Sequence, residues 1–444
     1  MKLDWKKTLL IGLGFFGISV IWQLYNTFVP IFLQVGGANF QGTASVKGFG
    51  LTATTTGVIM GLDNLAAIFI LPLVGIWSDR IRTPIGRRYP FILTAAPLAA
   101  VAFVLMPVAS TLIKQTGQIS ANGSAFALFI AGAVAMLLAM AVLRTPVVSL
   151  MPDLTPPALR SKANGIINFM GGVGFIVASF GLGSLFDVNP LFPFIGGSVI
   201  LLGAVLALFL SVKEPRPEEL APEAEHEVSD EEQALSALKQ VKVIPAAYRR
   251  SLIFLLLAIF AWFVAYDGVS TFFSSYAVNV LGVTEGTASR IFTVAGAAFL
   301  VFAIPAGYIG ERLGRKRTII IGLGVFAALL FVGNFVNSVP VIVAVLGIGG
   351  IGWALVNINS LPMVVDTTDD ARLLGTYTGL YYLASQTGSA LAPLITGGIV
   401  DLLGQHYRAI FLTGPAFFVV AIVCMSLVTR GEAYQTEQHI ATAD

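Results

Sequence analysis

Twelve long apolar runs dominate this 444-residue chain, near residues 9–33, 56–77, 90–112, 125–150, 163–184, 191–212, 251–279, 287–309, 318–337, 340–365, 374–398 and 409–429. Crossing about 30 Å of hydrocarbon takes roughly 20 apolar residues in a helix. Lipid offers backbone amides no partner, so a spanning segment must bond within itself or within a closed barrel, and these runs are too long for barrel strands. The expectation is an all-α membrane protein with twelve transmembrane helices. Charge agrees, because Asp, Glu, Lys and Arg make up only 11% of the chain, against about 25% in an ordinary soluble domain. The first run follows Lys2, Lys6 and Lys7 as a secretory signal would. It continues for about 25 residues without a small-residue cleavage site, so it reads as a retained span.

Positive residues of short loops collect on the cytoplasmic side. Placing the N-terminus inside puts Arg80, Arg82, Arg87, Arg88, Arg160, Lys162, Arg312, Arg315, Lys316, Arg317 and Arg372 in the cytoplasm. The same choice leaves only Lys47, Lys114, Arg290 and Arg408 outside. Both termini are therefore expected in the cytoplasm, in a multi-pass protein of the plasma (inner) membrane.

One charged pattern occurs twice: GIWSDRIRTPIGRR at Gly75–Arg88 and GYIGERLGRK at Gly307–Lys316. A second echo pairs MPDLTPPALRSKANG at Met151–Gly165 with VVDTTDDARLLGTYTG at Val364–Gly379. Both of these put an aspartate at a helix end, then a turn, an arginine and a glycine-containing helix start. Between the sixth and seventh runs lies a stretch rich in proline and acids, from Pro215 to Glu232, ending in Lys239, Lys242, Arg249 and Arg250. It reads as a solvated linker with a short surface helix. The expected organisation is a six-helix bundle over 1–213, a cytoplasmic linker over 214–250, a second six-helix bundle over 251–430 and a cytoplasmic tail over 431–444. Parallel repeats of this kind suit alternating access, with a substrate bound near the bilayer midplane.

Other function classes find little support. A single cysteine, Cys424, leaves no thiolate metal site, and His226, His406 and His439 lie in loops or the tail. No metal, cofactor or nucleic-acid partner is expected. Nor is an enzyme, since no nucleophile–base set or phosphate loop is found; GLGFFG at Gly12–Gly17 lies inside an apolar run and reads as packing glycine.

Three charges fall within the apolar runs: Asp63, Arg144 and Asp267. An intramembrane charge costs about 2.5–3.5 kcal/mol at mid-helix and usually faces a cavity or a partner. Asp63 and Asp267 are the candidates for a proton-binding acid; the alternative is a fixed ion pair or amide-bonded aspartate that never titrates. Polar and aromatic residues that could hold a sugar lie on the first span (Gln23, Asn26, Thr27), the seventh (Trp262, Tyr266, Thr271) and the tenth (Trp353, Asn357, Asn359). Asn164 and Asn168 on the fifth span, and Tyr377, Tyr381 and Gln386 on the eleventh, follow behind. The alternative for each is a contact between helices in lipid, where such residues also serve.

The loop pattern of glycine, acid, base and then glycine with two bases resembles the major facilitator superfamily. More narrowly, SDRIRTPIGRRYPF at Ser78–Phe91 and RTPVVSLMPDLT at Arg144–Thr155 resemble the sucrose transporters and the related glycoside–pentoside–hexuronide:cation symporters. The resemblance implies the major facilitator fold, two pseudo-symmetric six-helix bundles whose first, fourth, seventh and tenth spans line the cavity. On that footing Gln23, Asn26, Arg144, Tyr266, Trp353 and Asn357 are the expected substrate-binding residues, and Asp267 is preferred over Asp63 for proton coupling. It also implies that Asp79, Arg80, Arg87 and Arg88, mirrored by Glu311, Arg312, Arg315 and Lys316, form charge contacts that hold the outward-facing state. The chain departs from the pattern as well. The two sodium-binding carboxylates of melibiose-permease-like members fall on Ala67 and Leu71, their sugar-binding aspartate on Arg144, and the plant carriers' proton-binding aspartate on Leu137. The expected function is a proton-coupled sugar symporter for a glucoside or disaccharide such as sucrose or maltose, working as a monomer by rocker-switch alternating access. The alternative is a proton-driven exporter of drugs or other amphipathic compounds.

Overall fold

A computed structural model describes residues 4–38, 40, 42, 44–156, 159–214, 246–368, 373–404 and 406–431. Most of the expected linker and of the C-terminal tail, together with Arg372, lie outside the described residues. So do the side chains of Asp63, Ala67, Leu71 and Asp79, although their backbone is helical.

Twelve long helices follow one another: α1 (Trp5–Gln34), α2 (Ala53–Arg80), α3 (Tyr89–Thr111), α4 (Gly123–Leu154), α5 (Arg160–Ile176), α6 (Leu191–Ser211), α7 (Ala246–Tyr276), α8 (Glu285–Leu313), α9 (Arg315–Gly333), α10 (Val339–Val365), α11 (Leu374–Leu402) and α12 (Ile410–Leu427). The described residues contain no β-strand. Among them, ten helical spans are long and apolar enough to cross a membrane. Of the remaining two, α2 is 28 residues long. α11 runs for 29 residues and carries Tyr377, Tyr381, Tyr382, Ser385, Gln386, Thr387 and Ser389 along its middle, which dilutes its hydropathy. The chain is a multi-pass integral membrane protein.

Local chemistry sets the helix ends. Asp4 accepts a hydrogen bond from the Lys7 amide (3.0 Å) and caps α1. Pro90 and Pro340 sit in the first turns of α3 and α10, where a missing N–H costs nothing. Two helices widen into π-turns at their ends, α5 over Val177–Leu182 and α7 over Ala277–Leu281.

Contacts divide the chain into two compact units. The first falls within Met1–Leu51, Ala66–Ser229 and Ala277–Thr293, the second within Thr52–Leu65, Asp230–Tyr276 and Val294–Asp444. In the first unit α1 packs on α5 and α6, while α3 packs on α4 and α6. In the second α7 packs on α11 and α12, while α9 packs on α10 and α12. The second set repeats the first with every helix number raised by six, which is the pseudo-symmetry expected from the repeats. The first unit is centred on an aromatic cluster in which Phe28 stacks on Phe186 (4.1 Å between ring centroids), with Phe32, Phe103 and Phe194 around them. The second has Phe326 against Phe418 and Tyr276 against Phe411. Lipid tails are as apolar as these side chains, so tight packing supplies the stabilisation.

Candidate functional site

In the second unit α7, α10 and α11 bring the expected aromatic and acidic residues together. Tyr266 lies flat on Trp353, ring centroids 4.1 Å apart and planes 5° from parallel. Phe263 meets the same indole edge-on at 5.5 Å. Spacings of three and four residues place Phe263 one turn from Tyr266 and Asp267, so the aromatic platform and the acid share one stretch of α7. Asp267 accepts a hydrogen bond from the Ser389 hydroxyl of α11 (2.5 Å) and, among the described residues, has no cation beside it. The Asn357 side chain makes no hydrogen bond among the described residues, whereas the amide of the buried Asn359 is fully used. It donates to the carbonyls of Ala306 (3.0 Å) and Leu355 (2.9 Å), tying α8 to α10. Close by in α10, Ser360 shares a hydroxyl–hydroxyl contact of 3.2 Å with Tyr381 of α11.

In the first unit the expected residues are more dispersed. Gln23 is buried and donates to the Thr27 hydroxyl one turn along α1 (3.0 Å). Asn26 is half-buried and its side chain makes no hydrogen bond among the described residues. Arg144 of α4 is half-buried and likewise forms no hydrogen bond or ion pair among them. Asn168 spends its amide on Asn164 of its own helix. A cavity of about 410 Å³ on α8, lined by Ile304, Pro305, Tyr308, Ile309 and Arg312, contains none of the expected substrate residues.

The basic loops find acids that the repeat pattern marked only as helix ends. Arg87 and Arg88 both reach Asp153 at the end of α4, at 2.8 Å and 3.1 Å, and all three side chains are almost fully buried. Arg88 also donates to the Ser78 hydroxyl. In the second half Arg315 pairs with Asp366, the corresponding residue after α10. Each half then straps the end of its sixth helix to the start of its third. Glu214 accepts from the backbone N–H groups of Arg87 (2.9 Å), Arg88 (2.9 Å) and Tyr89 (3.3 Å), while the Tyr89 hydroxyl donates to the Val212 carbonyl (2.5 Å). Lys316 donates to the carbonyls of Ser426 (3.0 Å) and Val428 (2.5 Å). Burial pushes the Glu214 carboxyl above its ordinary value, and the N–H groups and the Arg88 charge offset this in part. Arg80, Glu311 and Arg312 are exposed and make no ion pair among the described residues. Glu214 and Ser389 were not legible as site residues: one opens a proline-rich linker, the other is one hydroxyl among many on α11.

Comparison with known proteins agrees with this arrangement. The family profile of the Major Facilitator Superfamily matches residues 11–289 and 277–443. The chain is 26% identical over 161 residues to the sucrose transport protein SUC3 of Arabidopsis thaliana, a match covering 34% of this chain and 27% of that one. It thus aligns with about a quarter of the sucrose carrier's length. It is 25% identical over 397 residues to the class H tetracycline resistance protein of Pasteurella multocida, covering 82% of this chain and 87% of that protein. Its fold resembles the crystal structure of a mutant of the nucleoside transporter NupG, with a TM-score of 0.70 at 14% identity over 95% of this chain and 100% of that one. With its repeated six-helix packing and mirrored basic loops, this chain belongs to the Major Facilitator Superfamily and is a membrane transporter rather than an enzyme.

Proposed function

We propose that the protein is a proton-coupled symporter for a sugar, a glucoside or disaccharide such as sucrose or maltose. It works as a monomer in the plasma membrane by rocker-switch alternating access, with both termini in the cytoplasm and H⁺ as the coupling ion. The observation that carries this reading is Asp267, an acid inside a membrane helix whose partner is a neutral hydroxyl rather than a cation. Such a carboxyl can take up and release a proton as its surroundings alternate between dry and wet, because desolvation favours its neutral form. A fixed ion pair could not. Beside it, the Tyr266–Trp353 platform offers an apolar face for sugar C–H groups, and Asn357 offers an uncommitted amide. Gln23, Asn26 and Arg144 are the contributions of the first half, Asp63 is the second candidate for the proton, and Asp79, Arg80, Arg87, Arg88, Glu311, Arg312, Arg315 and Lys316 serve as gating residues.

The test is uptake by purified protein in liposomes across a panel of sugars, with a pH gradient imposed and internal pH recorded. Accumulation should follow an inward proton gradient. Asp267→Asn should abolish accumulation against a gradient while leaving sugar exchange, which needs no net proton movement. Undiminished accumulation would remove Asp267 and leave Asp63. The tetracycline resistance relative, aligned along most of both chains, favours a second reading as a proton-driven exporter of amphipathic compounds. In that case the same liposomes would extrude a cationic or amphipathic dye and ignore every sugar.

A further inference from the structure

The ends of α2 and α8 remote from the basic loops carry a second repeat, inconspicuous because glycine and threonine dominate it. Gly50-Leu51-Thr52-Ala53-Thr54-Thr55 precedes and opens α2; Gly282-Val283-Thr284-Glu285-Gly286-Thr287 precedes and opens α8. The spacing between them is the 232 residues that also separate Gly75 from Gly307. Geometry repeats with sequence. Gly50 and Gly282 both turn the chain with positive φ, 71° and 66°, a conformation that costs other residues strain. Thr52 accepts from the Thr55 amide (3.2 Å) and Thr284 from the Thr287 amide (3.3 Å), so each helix starts on a threonine cap.

An aspartate from the other half of the sequence completes each cap. Asp401, in the last turn of α11, accepts from the amides of Ala53 (3.1 Å) and Thr54 (2.7 Å). Asp187, beyond α5, accepts from the Gly286 amide (2.9 Å) and the Thr284 hydroxyl (2.8 Å). α5 and α11 are equivalent helices of the two halves, as are α2 and α8. Each acid sits at the C-terminal end of its own helix, where a negative charge is unfavourable, and is stabilised by the N-terminus of another. Its placement is explained by the partner helix. The seams beneath are narrow. A Cβ on Gly57 or Gly397 would strike the backbone of Pro393 or Ala53, and one on Gly183 would strike Ser289, whose hydroxyl donates to the Ser179 carbonyl (2.8 Å). Ser45 adds two further bonds to Glu285, from its amide (2.8 Å) and its hydroxyl (3.2 Å).

We propose that Asp187 and Asp401 are the catches of an outer clasp, the counterpart of the basic loops. Each closes the remote end of α8 or α2, and both release when that end opens for substrate. Each of the two caps joins the first half of the sequence to the second. This goes beyond the proposed substrate and coupling ion, and of that reading it rests on alternating access alone.

Hydrogen–deuterium exchange of the full-length protein in nanodiscs, without substrate, tests it. In Asp187→Asn with Asp401→Asn, amides of 52–58 and 284–290 should exchange faster, by about fivefold for each cap lost. Peptides covering 75–90 and 307–318, at the opposite ends of the same helices, should at the same time exchange more slowly, as the released clasp lets the basic-loop end close. Acceleration at both ends, or at the caps alone, would mark the aspartates as structural and overturn the proposal. A second variant works in the opposite sense: Gly183→Cys with Ser289→Cys in a Cys424→Ser background. Oxidation should slow exchange at 284–290 and hold the basic-loop peptides at their fastest rate, and reduction should reverse both. Basic-loop peptides indifferent to the redox state would equally sink the idea.

Discussion

At the scale of single residues, the basic-loop ion pairs of the two halves occupy equivalent places but differ in energy. Asp153 and its two arginines are nearly dry, with side chains 4% to 7% exposed, whereas Arg315 and Asp366 are 21% and 33% exposed. Removing one partner of a buried pair strands a charge and costs about 3–5 kcal/mol; a solvent-exposed pair contributes about 0–1 kcal/mol. Asp153→Asn should therefore lower the melting temperature of the purified protein severely and Asp366→Asn only slightly, and equal losses would refute the burial argument. Glu214 makes a pH prediction. Its folded-state carboxyl is raised by burial, so its contribution to stability is present at low pH and lost as pH rises through the folded value. Glu214→Gln, which keeps an acceptor for the α3 amides without the charge, should flatten the loss of thermal stability that the wild type shows as pH rises above the ordinary carboxylate range. A variant less stable at neutral pH than in acid, relative to wild type, would show the charge to be favourable there.

At the scale of elements, helix count and order were legible because lipid leaves a spanning chain one solution and every apolar run must obey it. The basic-loop repeat was legible for a similar reason: charges stand out against apolar sequence. Their acids were legible only as helix ends, since the partners of Arg87 and Arg315 lie 66 and 51 residues away. The repeat at the opposite ends of α2 and α8 was hidden because threonine and glycine carry no contrast and its acids lie 97 to 348 residues distant. Of the substrate residues, the stacking of Tyr266 on Trp353 needed α7 and α10 in place, and no spacing within either helix encodes it. Helix seams make a further prediction. Gly57 of α2 faces the Pro393 carbonyl of α11, whereas a Cβ on Gly203 of α6 meets nothing within 4 Å. Gly57→Leu should cost about 1–3 kcal/mol by overpacking, and Gly203→Leu should leave the melting temperature near that of the wild type. Equal tolerance at both positions would mean that the α2–α11 seam is not close-packed.

At the scale of the whole molecule, the compact units do not coincide with the two halves of the sequence. The start of α2 groups with the second unit and the turn leading into α8 with the first, each held by an aspartate from the opposite half. Neither half therefore supplies all of its own helix caps, because the Ala53 and Thr54 amides of α2 are bonded by Asp401 and the Gly286 amide of α8 by Asp187. Within each half, by contrast, the straps from the sixth helix to the third and from the twelfth to the ninth are complete. Two polypeptides divided between α6 and α7 should thus each insert, yet persist only when expressed together, and a tag on one should recover the other from detergent. Asp187→Asn and Asp401→Asn, placed one in each fragment, should reduce that recovery well below the level seen with the pair Arg315–Asp366 broken, because that pair lies within a single fragment. If breaking Arg315–Asp366 reduced co-recovery as much as the loss of both caps, the halves would be joined chiefly through their basic-loop ends.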